Sequence, residues 1–351
     1  MAERPRERMG DERVMARNDD VVVLGGTGFI GRHLVAALEG RVRSITVVGR
    51  GLSDRDVDAG LRFRRGDLRD LDSTRRSIAG ASVVYDVTMP VSGSWEEFPE
   101  NCLRCARNLA MVAKELSVRR LFYTSSSDAV YLGGGRSVDE RDGTDARPHL
   151  RNPYSRSKGA AERLLFDLHR AEGLPITVFR PFIVVGRGGR LSHGGIGEWP
   201  AVTCCLGWGP GTNAQPFVLV EDVASAMAAA LDVPGIEGMA FNLAGDVTPS
   251  AKEYVRLVAQ RARRNFRYYP RNLTWLWLQG VARQALRRLA GRNGERQSYR
   301  DMLSKSKRSR VDCTAAKTLL GWKPNGSLER FVAEAIDCHA DVPPGDLRIE
   351  T

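Results

Sequence analysis

Four apolar residues, Val21, Val22, Val23 and Leu24, run straight into Gly25-Gly26-Thr27-Gly28-Phe29-Ile30-Gly31. This stretch limits the possible folds more than any other. A short, mostly β-branched run bounded by glycine reads as a buried strand. The residues from Gly28 through His33-Leu34-Val35-Ala36-Ala37-Leu38 read as a helix. Gly25 permits a tight turn, Gly28 lets the backbone approach a pyrophosphate, and Gly31 lets the helix pack closely. The N–H groups and dipole at the helix start favour a phosphate anion. The loop therefore places Gly25, Gly26, Thr27, Gly28, Phe29, Ile30 and Gly31 at a dinucleotide site. The spacing is GxxGxxG rather than GxGxxG. The competing reading is a turn without a ligand, and the strand–loop–helix context argues against it.

A second strand is expected at Ser44-Ile45-Thr46-Val47-Val48. In such a unit an Asp or Glu usually follows and accepts hydrogen bonds from the adenosine ribose. Here the chain has Gly49-Arg50, and a guanidinium suits a 2′-phosphate. This favours NADP over NAD; alternatively, Arg50 stacks on adenine or faces solvent. A third strand, Leu61 to Arg65, leads to Gly66-Asp67-Leu68, which puts Asp67 and Leu68 at the adenine end.

Tyr154 and Lys158 sit four residues apart in a segment with helix signals. Asn152 suits the N-cap and Pro153 the first helical position. Residues at i and i+4 share a helix face. A lysine ammonium beside a phenol, with a positive nicotinamide ring, stabilises the phenolate. The tyrosine then exchanges a proton with an alcohol or ketone. A serine hydroxyl from Ser125-Ser126-Ser127 would hold the reacting oxygen. A lone YxxxK is common on surface helices; the serines and the glycine loop upstream make that reading weaker here.

With these residues in place, the chain resembles an extended short-chain dehydrogenase/reductase of the NAD-dependent epimerase/dehydratase kind. The likeness runs from about Val21 to about His339. It includes Asn101 and Asn108, Val130-Tyr131, Arg180-Pro181, Val220-Glu221-Asp222-Val223-Ala224 and Leu320-Gly321-Trp322-Lys323-Pro324. The resemblance implies that Ser127 is the catalytic serine with Ser126 beside it, Tyr154 the acid/base, and Lys158 the ribose-binding partner that lowers the tyrosine pKa. It also implies that Pro181 lies beside the nicotinamide, that Thr88 after the fourth strand meets the cofactor, and that the protein is a homodimer. Members acting on nucleotide sugars often carry an arginine before Val-x-Asp-Val; Gly211 to Phe217 holds none. The Pro270 to Leu278 segment is more similar to the 3β-hydroxysteroid dehydrogenase and dihydroflavonol reductase branches, which act on hydrophobic alcohols and ketones. The expected reaction is hydride transfer to or from a substrate carbinol or carbonyl carbon. The alternatives are a nucleotide-sugar epimerase or dehydratase with tightly held NAD, and a non-catalytic dinucleotide- or RNA-binding protein.

Strands expected near Val21, Ile45, Phe63, Val83, Leu121 and Ile176 alternate with helices near Gly31, Ser73, Asn101 (Phe98 to Leu116) and Tyr154, so the expected architecture is α/β: a doubly wound parallel sheet with a smaller C-terminal lobe. Residues 1–19 read as a disordered leader, 20–185 as the Rossmann domain, 186–340 mainly as the substrate lobe with some return to the sheet, and 341–351 as a tail. Six cysteines in 351 residues do not suggest a disulfide scaffold. Cys102-x-x-Cys105 lacks a second pair at zinc spacing, so no metal site is expected. No apolar run is long enough to span a membrane and no secretory signal is visible, so a cytoplasmic protein is expected. Charge is concentrated: residues 260–310 hold 15 Lys and Arg against two acids, while the whole chain is +11. Within that stretch Trp275, Leu276, Trp277, Leu278, Val281, Leu286 and Leu289 interleave with Arg283, Arg287, Arg288 and Arg292, which reads as an amphipathic basic helix. A lid over an anionic substrate ranks first for it, an anionic membrane surface second and nucleic acid last. A plain solvated helix face is the alternative.

Overall fold

The computed structural model describes residues 18–57, 60–89, 97–262, 265–290 and 298–339. The expected leader through residue 17, Pro90, Arg292, Glu295 and the expected tail 341–351 lie outside the described residues. Asp19, at the end of the expected leader, is buried and accepts hydrogen bonds from Ser82 Oγ (2.8 Å) and Arg119 (2.6 Å).

The six strands expected from sequence all form: β1 (Asp20–Leu24), β2 (Ser44–Gly49), β4 (Leu61–Arg65), β5 (Val83–Asp86), β6 (Arg120–Thr124) and β7 (Ile176–Pro181). Two more complete the sheet, β3 (Arg55–Val57) and β12 (Ala240–Leu243), in the order β12-β7-β6-β5-β1-β2-β4-β3. All pairings are parallel except β3 with β4. The strand order reverses between β1 and β5, and ligands of such sheets bind at that switch point. Central strands carry apolar side chains on both faces because helices cover both. Helices α1 (Phe29–Leu38) and α5 (Val220–Ala229) cover one face through Leu34, Leu38 and Met227. On the other, α3 (Phe98–Glu115) and α4 (Pro153–Glu172) pack side by side through Leu109, Ala113 and Leu165. Helix α2 (Leu71–Ile78) follows β4 and is capped by Asp70. Cys102 and Cys105 face the core of α3, and all six cysteines are free thiols.

The remaining elements form the lobe. Strands β9 (Gly197–Ala201), β10 (Cys204–Gly207) and β13 (Arg267–Tyr269) make one small sheet, and β8 (Ile183–Val185) pairs with β11 (Phe217–Leu219). Helices α6 (Ala251–Arg261) and α10 (Leu328–Ala335) close its core, where the Phe217 and Tyr254 rings stack at 4.8 Å. Helix α9 (Thr314–Leu319) returns to β12. Helices α7 (Leu273–Leu289) and α8 (Tyr299–Lys305) pack on each other. Among the described residues no helix is long and apolar enough to cross a membrane.

One buried ion pair fastens α4 to the sheet. Arg180 in β7 bonds Glu162 in α4 (Nε–Oε1 3.1 Å), and neither side chain is exposed to water. Glu162 also accepts from Ser125 Oγ (2.7 Å), and Arg180 donates to the Asp142 carbonyl (2.9 Å). Removing one partner leaves a buried charge uncompensated. Arg180→Met should therefore cost ~3–5 kcal/mol in unfolding free energy. Guanidinium titration followed by circular dichroism measures this, and a loss below about 1 kcal/mol, the range of an exposed pair, would contradict it.

Candidate active site

The glycine loop forms the floor of the site. Gly25 adopts φ +80°, a left-handed turn that suits glycine, and its N–H donates to Val48 O (2.8 Å). A Cβ on Gly31 would sit 2.2 Å from Gly25 O and 2.6 Å from Gly26 Cα. The helix thus lies directly on its own loop, and only hydrogen fits between them. No side chain caps the α1 N-terminus, where Gly28 is the N-cap. That leaves backbone N–H groups and a helix dipole at the switch point for an anion. The Gly186 to Gly189 loop, expected in the lobe, packs here instead: a Cβ on Gly188 would fall 2.6 Å from Arg32, and one on Gly189 2.7 Å from Phe29. Thr88 closes the opposite side, with its methyl 3.2 Å from where a Gly25 Cβ would be. Both the Thr88 N–H (2.9 Å) and hydroxyl (2.6 Å) donate to Asp86, whose carboxyl burial pushes upward while these bonds pull it back.

Arg50 lines a cavity of about 510 Å³ with Arg65, Gly66, Asp67, Ser73 and Arg76. Asp67 is held below the usual carboxylate range by its bond to Arg69. The Leu68 carbonyl accepts from Asn108 Nδ2 (2.9 Å) and Thr74 Oγ1 (3.3 Å), which ties the turn after β4 to α3 and α2. The sequence reading singled out Arg50 and Asp67; it missed Arg76 of α2, the helix whose Ser73 takes the Asp67 N–H (2.9 Å).

The candidate reaction centre expected from the sequence lies where α4 starts. Asn152 caps the helix, its side chain accepting from the Ser155 N–H (3.0 Å), and Pro153 fills the first position, as expected. Lys158 is buried one turn below Tyr154, donates to the Thr124 carbonyl (2.9 Å) and lies 5.1 Å from the Tyr123 ring centre. Of the three serines, Ser126 is the one that acts on the Tyr154 phenol, drawing its pKa downward. Ser126 is half-buried, whereas Ser127 is buried in the short 3-10 turn that follows. Burial raises the Tyr154 pKa above its ordinary value, and Lys158 and Ser126 oppose that rise. The sequence reading took the lysine into account but not the desolvation, which wins in the protein alone. Pro181, at the end of β7, is buried and paired with Leu243.

Behind Tyr154, Arg151 organises a buried network. It bonds Asp145 (2.9 Å), Asp301 of α8 (3.2 Å) and the Val130 carbonyl (3.1 Å). Asp301 also accepts from the Asn152 side chain (2.9 Å). Asp128 joins the centre to the lobe: its N–H donates to Ser126 Oγ (3.2 Å), and its carboxylate lies 4.0 Å from the buried Lys307 ammonium. Lys307 reaches the Gly195 carbonyl (3.4 Å), and the adjacent His193 is lowered to about 4 by burial and by Lys307. Neither Lys307 nor His193 was marked in the sequence.

A glycine cradle at a sheet switch point, joined to this helix start, defines a Rossmann-type dinucleotide-binding fold. The profile of the NAD dependent epimerase/dehydratase family matches residues 21–244, and the chain belongs to that family. It is similar to cinnamoyl-CoA reductase 1 of Petunia hybrida, 29% identical over 181 residues, covering 47% of this chain and 54% of that protein. It is also similar to 3beta-hydroxysteroid-dehydrogenase/decarboxylase isoform 2 of Arabidopsis thaliana, 26% identical over 223 residues, 58% of this chain and 39% of that one. The matches thus span about half the length of such relatives. Among solved structures, MoeE5 in complex with UDP-glucose and NAD superposes with a TM-score of 0.66 at 26% identity, covering 91% of this chain and 98% of that one.

The packing at Gly31 generates a test. In Gly31→Ala the added methyl collides with loop backbone rather than with a movable side chain. Dinucleotide affinity should fall at least about tenfold, roughly 1.4 kcal/mol, with the far-ultraviolet circular dichroism retained. Unchanged affinity in a fluorescence titration would remove this loop from the binding site.

Proposed function

We propose that this protein is an NAD(P)-dependent oxidoreductase acting at an alcohol or ketone carbon, with Tyr154 as the proton carrier. The observation that supports it best is the Ser126–Tyr154–Lys158 cluster beside the glycine cradle. A nicotinamide dinucleotide, when bound, supplies or accepts the hydride. Tyr154 gives its phenolic proton to a forming alkoxide, or takes one from an alcohol. Lys158, anchored to Thr124, lowers the cost of the phenolate that burial raises. Ser126 orients the reacting oxygen, because it is the more accessible serine and acts on the Tyr154 phenol. Ser127 is the serine that the family resemblance implied; its burial fits it better to holding the turn.

NADP is the better fit at the adenosine end. Arg50, Arg65 and Arg76 line the cavity against two carboxylates, Asp67, which is engaged by Arg69, and Asp54, which accepts from the Arg65 N–H (2.7 Å). Relatives named as a reductase and a hydroxysteroid dehydrogenase support an alcohol/ketone substrate with an apolar body. The likeness to MoeE5 with UDP-glucose and NAD favours a second reading, a nucleotide-sugar enzyme that retains its NAD. Against it stands the stretch Gly211 to Phe217, which lacks an arginine for the diphosphate. A homodimer through the outer faces of α3 and α4, where Met111 is exposed, completes the proposal.

Two measurements test this reading. Tyr154→Phe should lower turnover of ketone or alcohol substrates by ~10²–10⁴-fold and leave dinucleotide binding intact. Ser126→Ala should cost about 10- to 100-fold, the value of a hydrogen bond to a charged group, and more than Ser127→Ala. Wild-type turnover in Tyr154→Phe would overturn the proton assignment. In fluorescence titrations NADPH should bind more tightly than NADH, and Arg50→Ala or Arg76→Ala should remove the difference, about tenfold per lost phosphate contact. Copurified NAD that never exchanges would instead support the nucleotide-sugar enzyme.

A further inference from the structure

Helix α7 wears its apolar face outward. Of its 17 residues only Leu273 is buried. Trp275 is 62% exposed, Leu278 45%, Leu286 67% and Leu289 86%. At ~3.6 residues per turn these four, with Ala282 and Ala285 between them, form one stripe roughly 100° wide. The opposite side holds the helix to the protein: Leu273 is buried, and the Trp277 ring meets Tyr299 of α8 at 5.6 Å. The amphipathic helix expected from the sequence forms, with Leu276, Trp277 and Val281 half-buried and the other large apolar residues after Leu273 left in water.

Arg283 and Arg288 border this stripe on its two sides and Arg287 lies beyond Arg283; all three are exposed, and among the described residues none of them makes an ion pair. The helix contains no Asp or Glu. An apolar row bordered by unpaired cations matches the acyl boundary and phosphate layer of an anionic bilayer. It does not match a second copy of itself, which would bring arginines against arginines with no acid to pair them. Nucleic acid would meet the cations but leave tryptophan and leucines in water. A lid would turn the stripe toward the site, and here it faces away from the body of the protein.

We propose that α7 docks this protein on an anionic phospholipid surface, with Trp275, Leu278, Leu286 and Leu289 entering the acyl boundary and Arg283, Arg287 and Arg288 on the headgroup phosphates. The helix lies in the plane of the surface and does not cross it. This docking is independent of the reaction assigned above.

Cosedimentation of the full chain with large unilamellar vesicles tests it, using phosphatidylcholine alone and phosphatidylcholine mixed with phosphatidylglycerol. Partition should be stronger on the anionic vesicles, by about 100-fold for three arginines near the surface, and should fall as salt rises. Leu278→Asp with Leu286→Asp should abolish binding; both sites are exposed, so circular dichroism and dinucleotide affinity should not change. Arg283→Glu, Arg287→Glu and Arg288→Glu together should remove the preference for anionic lipid. Equal partition to both vesicle types overturns the proposal, as does full binding by the leucine variant. So does light scattering that shows a dimer lost in the leucine variant, which would make the stripe a self-association face.

Discussion

The carboxylate of Glu162 holds this site together. Enclosed between helix and sheet, it receives Arg180 from β7 and the hydroxyl of Ser125 from the end of β6. Such a pair is costly to desolvate, and it is tolerated here because Arg180 contacts both carboxylate oxygens and donates further to Asp142. Its consequence is geometric. Lys158 and Tyr154 lie one and two turns before Glu162 on α4, on the same face. Fixing Glu162 fixes the rotation of that helix about its axis. Lys158 then points at the Thr124 carbonyl, and Tyr154 at the serine turn. Arg180 is followed directly by Pro181, so the same contact also positions the end of β7.

A second anchor works at the other end of α4. Arg151 precedes the Asn152 cap, and its guanidinium is shared by Asp145 and Asp301. Arg300 bonds Asp145 and stacks over the Tyr131 ring at 3.6 Å. Residues from two distant parts of the chain, 131–152 and 300–301, therefore converge beneath Tyr154. Burial alone would drive the Asp145 carboxyl upward, yet the bonds from Arg300 and Arg151 hold it below its ordinary range. The charges at the helix start thus remain charged and directional, which keeps the cap in place.

What could be read in the sequence was whatever local chemistry decides. The glycine loop, the Asn152 cap with Pro153, the span of α3 and the six parallel strands all follow from spacing and propensity within a few residues, and each is found. The choice among three consecutive serines could not be read that way. Ser125, Ser126 and Ser127 are chemically equivalent, and the turn after β6 sends the first to Glu162, the second toward Tyr154 and the third into the interior. Arg76 lines the Arg50 cavity because α2 follows β4 closely, with Ser73 of α2 taking the Asp67 N–H. Desolvation of the Tyr154 phenol is likewise invisible: the lysine four residues away can be seen in sequence, whereas the solvent lost around the phenol is a property of the whole fold.

Helix α7 shows the same limit from the other direction. Its hydrophobic period is plain in the sequence, but periodicity does not say which side meets protein. The answer depends on α8, whose Tyr299 takes the Trp277 ring and the Thr274 hydroxyl (3.1 Å). Two residues later the same short helix presents Asp301 to Arg151 and Asn152. A continuous line of packed and hydrogen-bonded groups therefore runs from the inner side of α7 to the cap of α4. Because α8 carries both contacts within one turn, displacing α7 moves Tyr299 against a helix whose Asp301 is buried and doubly bonded. The buried end resists, so the exposed helix is held at a set orientation relative to the site.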